Sequence, residues 1–183
     1  MRGLVLAAVA MLGAGQAEAG CFTREELPQR AVYDQGSALE YLGLEGDVLT
    51  YRVGSVTTRM KDGLWPMEHV SGDQKTEYRW DGLLPDLARI VSDGGTAEVR
   101  GRMRHGGGGW LPVVARVEVL RQTTQDWEDC RYDVVEFRKV LIVDGKTTSE
   151  GVVLYAPGAM IAFRTDAVAA EGATTTFALT ELQ

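Results

Sequence analysis

Short stretches of alternating apolar and polar residues, punctuated by glycine, run along most of this chain. A period of two predicts half-buried β-strands, and the Gly- and Asp-bearing breaks predict tight turns between them. The first hairpin is predicted from segments 37–44 and 48–53, joined by Glu45-Gly46-Asp47. In its second arm Leu49, Tyr51 and Val53 share one face and Val48, Thr50 and Arg52 the other. Strands follow at 55–60, 65–71 and 74–80, with turns at Lys61-Asp62-Gly63 and Gly72-Asp73. Thr76, Tyr78 and Trp80 form one face of the last of these.

The period changes once. Leu84, Leu87, Ala88 and Val91 have helical spacing, which predicts a short helix over 85–91 with Pro85 in its first turn. Two long strands, 96–104 and 111–123, then flank a glycine cluster at 106–109. The strongest hairpin signal is Asp144-Gly145 between 131–143 and 146–155. Pairing Val143 with Lys146 sets Lys139 opposite Glu150 and Phe137 opposite Val152, like with like and charge with counter-charge. Strands at 160–168 and 174–182, with a turn near Glu171-Gly172, complete the pattern. About ten strands in a meander make a barrel, a half-barrel or a sandwich.

The N-terminus follows another logic. Arg2 precedes an apolar run at 4–12, and small residues lead to Ala17-Glu18-Ala19. This is the layout of a cleavable signal peptide, with an apolar stretch too short to span a bilayer. The chain therefore divides into a leader at 1–19 and one exported β domain at 20–183, with the periplasm the favoured destination over the medium. The formal charge of −7 survives cleavage, because Arg2 and Glu18 leave together. An acidic surface of this kind argues against nucleic acid as a partner. No later apolar run is long enough for a transmembrane segment.

Export changes how the two cysteines are read. In an oxidising compartment Cys21 and Cys130 are expected to form one disulfide. The rival reading makes Cys21 the lipid-bearing first residue of a lipoprotein, because Ala19-Gly20-Cys21 has the small residues such a signal needs. Glu18 stands where that signal wants an apolar residue, and lipidation would leave Cys130 unpaired; the disulfide is preferred.

Leu64-Trp65-Pro66-Met67 before a Gly-containing turn, and Tyr155-Ala156-Pro157-Gly158-Ala159 after the Asp-Gly hairpin, resemble a pattern in uncharacterised bacterial secreted β-rich domains. Those domains look like relatives of the periplasmic lipoprotein carriers of the LolA/LolB kind. The resemblance covers roughly 47–165 and implies a strongly curved antiparallel sheet around an apolar hollow. The chain departs from the pattern at 126–130, where an acidic, Cys-bearing segment replaces a Gly-containing turn.

Candidate chemistry is sparse. Arg100, Arg102 and Arg104 share one strand face beside His105, a stripe suited to an anion or, more commonly, to a solvated face paired with Glu98 and Glu118. Asp126, Glu128 and Asp129 lack calcium-loop spacing. His69 and His105 do not make a zinc site unaided, and Glu68-His69-Val70-Ser71 lacks a nucleophile elbow. No catalytic set, metal site or cofactor motif is read. If the sheet curls around a hollow, Tyr51, Trp65, Tyr78, Trp80 and Phe137 are its candidate wall.

The expectation is an all-β domain, a curved antiparallel barrel or half-barrel with one short helix. Its expected role is non-catalytic binding of an apolar or amphiphilic small molecule. The alternative is a structural or protein-interaction domain whose partner is an envelope protein.

Overall fold

The computed structural model describes residues 21–169 and 172–183; the leader read at 1–19, and Glu171 of the last predicted turn, lie outside the described residues. Twelve strands form one closed, all-antiparallel meander. In chain order they are β1 (Arg30–Tyr33), β2 (Ala38–Glu45), β3 (Val48–Val53), β4 (Val56–Lys61), β5 (Trp65–Ser71), β6 (Gln74–Trp80), β7 (Thr96–His105), β8 (Leu111–Trp127), β9 (Cys130–Val143), β10 (Lys146–Ala156), β11 (Ile161–Val168) and β12 (Thr174–Leu182). Each pairs with its chain neighbours, and β1 closes the ring by pairing with both β2 and β12. Outside the ladder, Gln183 O accepts from Gln29 N and Arg30 N, so the two ends of the described chain are stitched together. Closure removes the sheet edges that would otherwise expose unpaired backbone groups.

β1 is the element missing from the sequence pattern. Its four residues, fenced by Pro28 and by the turn at Asp34-Gln35-Gly36, are too few to show an alternation. The helix α1 (Leu87–Ser92) starts later than expected. Asp86 caps it by accepting from Arg89 N at 2.8 Å, which leaves Pro85 ahead of the cap and not in the first turn. Leu87 and Ile90 point into the barrel end, joining Leu64, Trp65, Val99, Ala115, Val117 and Val135 in the main core. The turn before β5 and the helix thus plug this end with apolar side chains.

Bulges set the phase of the barrel. Single unpaired residues interrupt the ladders at Leu42, Met67, Leu120 and Thr148. Two of them, Leu42 at 51% and Leu120 at 42% exposure, are among the few large apolar side chains left in solvent. A bulge carries an extra residue without a cross-strand partner and reverses the in-out parity beyond it. Thr148 corrects the predicted β9–β10 register. Val143 does pair with Lys146, but past the bulge Phe137 lies opposite Val153 and Lys139 opposite Gly151. The Thr148 hydroxyl donates to Leu141 O at 3.2 Å and so pins the extra residue.

Two glycines mark places where strands crowd. A Cβ on Gly101 would stand 2.2 Å from Arg79 O, and one on Gly151 would stand 2.8 Å from Asp166 O. Only a residue without a side chain tolerates such approach.

Cys21 and Cys130 are joined by a disulfide, with Cα atoms 5.5 Å apart and a sequence separation of 109. Around it gathers a second apolar cluster, in which Phe22 and Trp127 pack against Tyr132, Ile161 and Phe163. The Tyr132 hydroxyl accepts from Phe22 N at 3.2 Å, fixing the N-terminal segment to the β8–β9 hairpin. Replacing both cysteines by serine is expected to lower the unfolding free energy by roughly 5 kcal/mol, the chain-entropy value for a loop of this length. Urea unfolding of the oxidised protein and the double variant measures it.

Candidate functional site

The core packing leaves two hollows inside the ring. The first, of about 460 Å³, lies between β1–β4 and β9–β12. Its wall is apolar apart from tyrosine hydroxyls, Ser37, Thr165 and one lysine. The hydroxyls point away from the space and bond to the wall. Tyr33 donates to Ala162 O at 3.0 Å, Tyr41 to Met160 O at 3.1 Å, and Tyr155 lies 3.1 Å from Met160 Sδ. Tyr51 completes the set with Met60 Sδ at 3.3 Å. Burial raises all four phenols above their ordinary value, Tyr33, Tyr41 and Tyr155 well above it, so they stay neutral and offer ring surface to an occupant. Ser37, Ala38 and Val53 place the mouth at the end carrying the β1–β2 and β3–β4 turns, opposite the helix.

The second hollow, of about 540 Å³, lies between β4–β8 and β9–β10. It is more polar. His69 and His105 both face it, together with Thr76, Thr148 and Ser149. His69 Nδ1 lies 3.0 Å from Thr58 Oγ1, and His105 Nδ1 lies 2.8 Å from Thr76 Oγ1. Burial, then the charge of Lys139, lowers the pKa of His69, which favours the neutral ring.

Met60 and Lys139 are common to the two walls. Lys139 projects inward from β9 and donates to Leu64 O in the plugged end. It has some accessible surface only because it borders the hollows; the ring encloses it. Burial brings its amine down to about 8. Its cross-strand partner on β10 is Gly151, which brings no counter-charge.

The residues singled out in the sequence are distributed as follows. Tyr51 and Phe137 line the first hollow and Tyr78 the second. Trp65 and Trp80 lie in the solid part of the interior, edge to face with centroids 6.3 Å apart. Their indoles donate to Pro85 O and Pro66 O at 2.7 and 2.8 Å. Arg100 pairs with Glu98 at 2.9 Å and Arg104 with Glu77 at 2.5 Å, while Arg79 and Arg104 flank the Trp110 ring. Arg102 lies opposite Arg79 and is exposed. His105, expected beside the arginines, has the other parity and faces inward. Tyr33, Tyr41, Tyr155 and Lys139 were missed as wall residues. The aromatic residues flanking the bulges were the available signal.

On the outside, the Arg116–Glu98 pair at 2.8 Å, Arg138–Glu118 at 3.3 Å and Arg121–Glu136 at 2.5 Å lie across neighbouring strands. A charged ladder is unlike the apolar band of a membrane barrel. Among the described residues no helix is long and apolar enough to cross a membrane.

No protein-family profile and no curated protein matches the chain. Among solved structures, the hypothetical lipoprotein YmcC from Escherichia coli (K12) is similar, with a TM-score of 0.53 and 9% identity over 86% of this chain and 89% of that one. The likeness is one of fold.

Lys139 generates a pH dependence of stability. Its folded pKa of about 8 lies below the ordinary lysine value of 10.5, so between these the unfolded chain binds a proton that the folded chain does not. Stability is therefore expected to rise with pH across that window, until ionisation of the buried tyrosines opposes it near about pH 10. Lys139→Met should abolish the lysine slope and add roughly 1 to 3 kcal/mol at neutral pH. Urea titrations at several pH values, wild type against variant, check the sign.

Proposed function

We propose that the protein is an exported, non-catalytic binding module for an apolar or amphiphilic small molecule. The first hollow carries the reading. It is within the usual size range of ligand pockets, is walled by aromatic and aliphatic side chains, and opens at one end. Its tyrosines spend their hydroxyls on the wall, so the surface offered to an occupant is ring and methylene. Burial of such surface against a ligand contributes about 25 cal/mol per Å², before the entropic cost of binding.

Export is supported by the leader pattern at 1–19 and by the Cys21–Cys130 bridge, which persists only where thiols are oxidised. The bridge also engages the sulfur that lipidation of Cys21 would need. The similar E. coli protein is described as a hypothetical lipoprotein, which favours the cell envelope and makes the state of Cys21 worth measuring. Mass spectrometry of native material should find a chain beginning at Gly20, two hydrogens lighter than its reduced form and without an acyl group.

For the ligand, the neutral probe N-phenyl-naphthylamine should gain fluorescence on adding the protein and lose it on adding a long-chain alcohol. Ala162 faces the hollow, and Ala162→Phe should fill it and weaken probe binding about ten-fold while the fold is kept. Absence of probe binding by the folded wild type counts against the reading.

A further inference from the structure

We infer that the interior is built for a single-chain amphiphile with one carboxylate, taken up head-first, so that the carboxylate meets the Lys139 ammonium and the chain fills the tyrosine-walled hollow. This rests on the ligand-binding reading above and names the ligand class.

The observation behind it is a cation with no counter-ion. Lys139 is enclosed by the barrel, yet among the described residues its only hydrogen-bond partner is the Leu64 carbonyl, and no carboxylate lies near enough to shift its proton affinity. An ammonium held in this way, away from water and unpaired, is costly. Pairing across the strands does not relieve it, because the Thr148 bulge puts Gly151, rather than Glu150, opposite. His69 supplies no negative charge and is itself disfavoured as a cation by its neighbour. No described residue supplies the missing partner, and a ligand is assigned that role.

Geometry then selects the form of that partner. An ammonium has three donors, and one is given to Leu64 O, which leaves two for the two oxygens of a carboxylate. The amine lies toward the plugged end, near Leu64, whereas Ser37, Ala38 and Val53 lie at the mouth. A head group at Lys139 therefore places its chain between Tyr41, Tyr51, Phe137 and Phe177 on the way out.

The test is competition against bound N-phenyl-naphthylamine at neutral pH, using hexadecanoate, hexadecanol and hexadecyl phosphate. Wild type is expected to bind hexadecanoate about ten-fold more tightly than the alcohol, the size of one partly buried ion pair, and more tightly than the phosphate. Lys139→Met, with Lys139→Gln as a second variant should the first misfold, is expected to lose that preference and keep the alcohol. Equal displacement by acid and alcohol in wild type overturns the assignment to Lys139 but leaves the hollow as a binding site. Preference for the phosphate overturns the head group, and an unchanged preference in either folded variant overturns the residue. Failure of all three to displace the probe overturns this inference, and failure of the probe to bind overturns the reading on which it rests.

Discussion

What this barrel can hold depends on which side of each strand faces inward. In a strand the choice is binary, and one extra residue reverses it for everything beyond. The bulge at Thr148 shifts the β9–β10 pairing by one place and sets Lys139 opposite Gly151, leaving it without the cross-strand carboxylate the simple hairpin would supply. The bulges at Leu42 and Leu120 turn those leucines outward while keeping Tyr41 and Val119 against the core. The apolar hollow, its single cation and the charged exterior are consequences of that phasing.

The interior combines solid and open parts. The end carrying α1 is packed around Trp65 and Ile90, both almost without exposure, so it can hold the enclosed lysine firmly. Toward the opposite end the inward side chains are farther apart, and tyrosines tied to backbone carbonyls keep the walls from collapsing. Hydroxyl bonds that fix the orientation of a ring serve a binding surface twice: they satisfy a buried donor and they hold the ring face toward the space.

Much of this was legible in the sequence. Strands β3, β5, β6 and β12 have the limits that their alternation and turn residues predict, and the disulfide is the one expected of two cysteines in a chain read as exported. The helix was placed within two residues, its start misjudged because Asp86 rather than Pro85 determines the cap. Less legible was anything requiring parity to be counted through a bulge. Tyr41 precedes the extra Leu42, and the face of Tyr155 has to be counted from the far side of the Thr148 bulge. Tyr33 was lost with β1 itself. Trp65 and Trp80 were assigned to the right side of the sheet but not to the right depth, because strand phase distinguishes inside from outside and not filled from hollow.

The pairing of β1 with β12 also constrains how the molecule assembles. Arg30–Tyr33 and Thr174–Leu182 come from opposite ends of the domain, so the final seam has to wait for the last strand to be made. Until then β1 and β11 present open edges, and contacts so distant in sequence are slow to form. A chain with both edges open is exposed to mispairing with its neighbours until the ring closes.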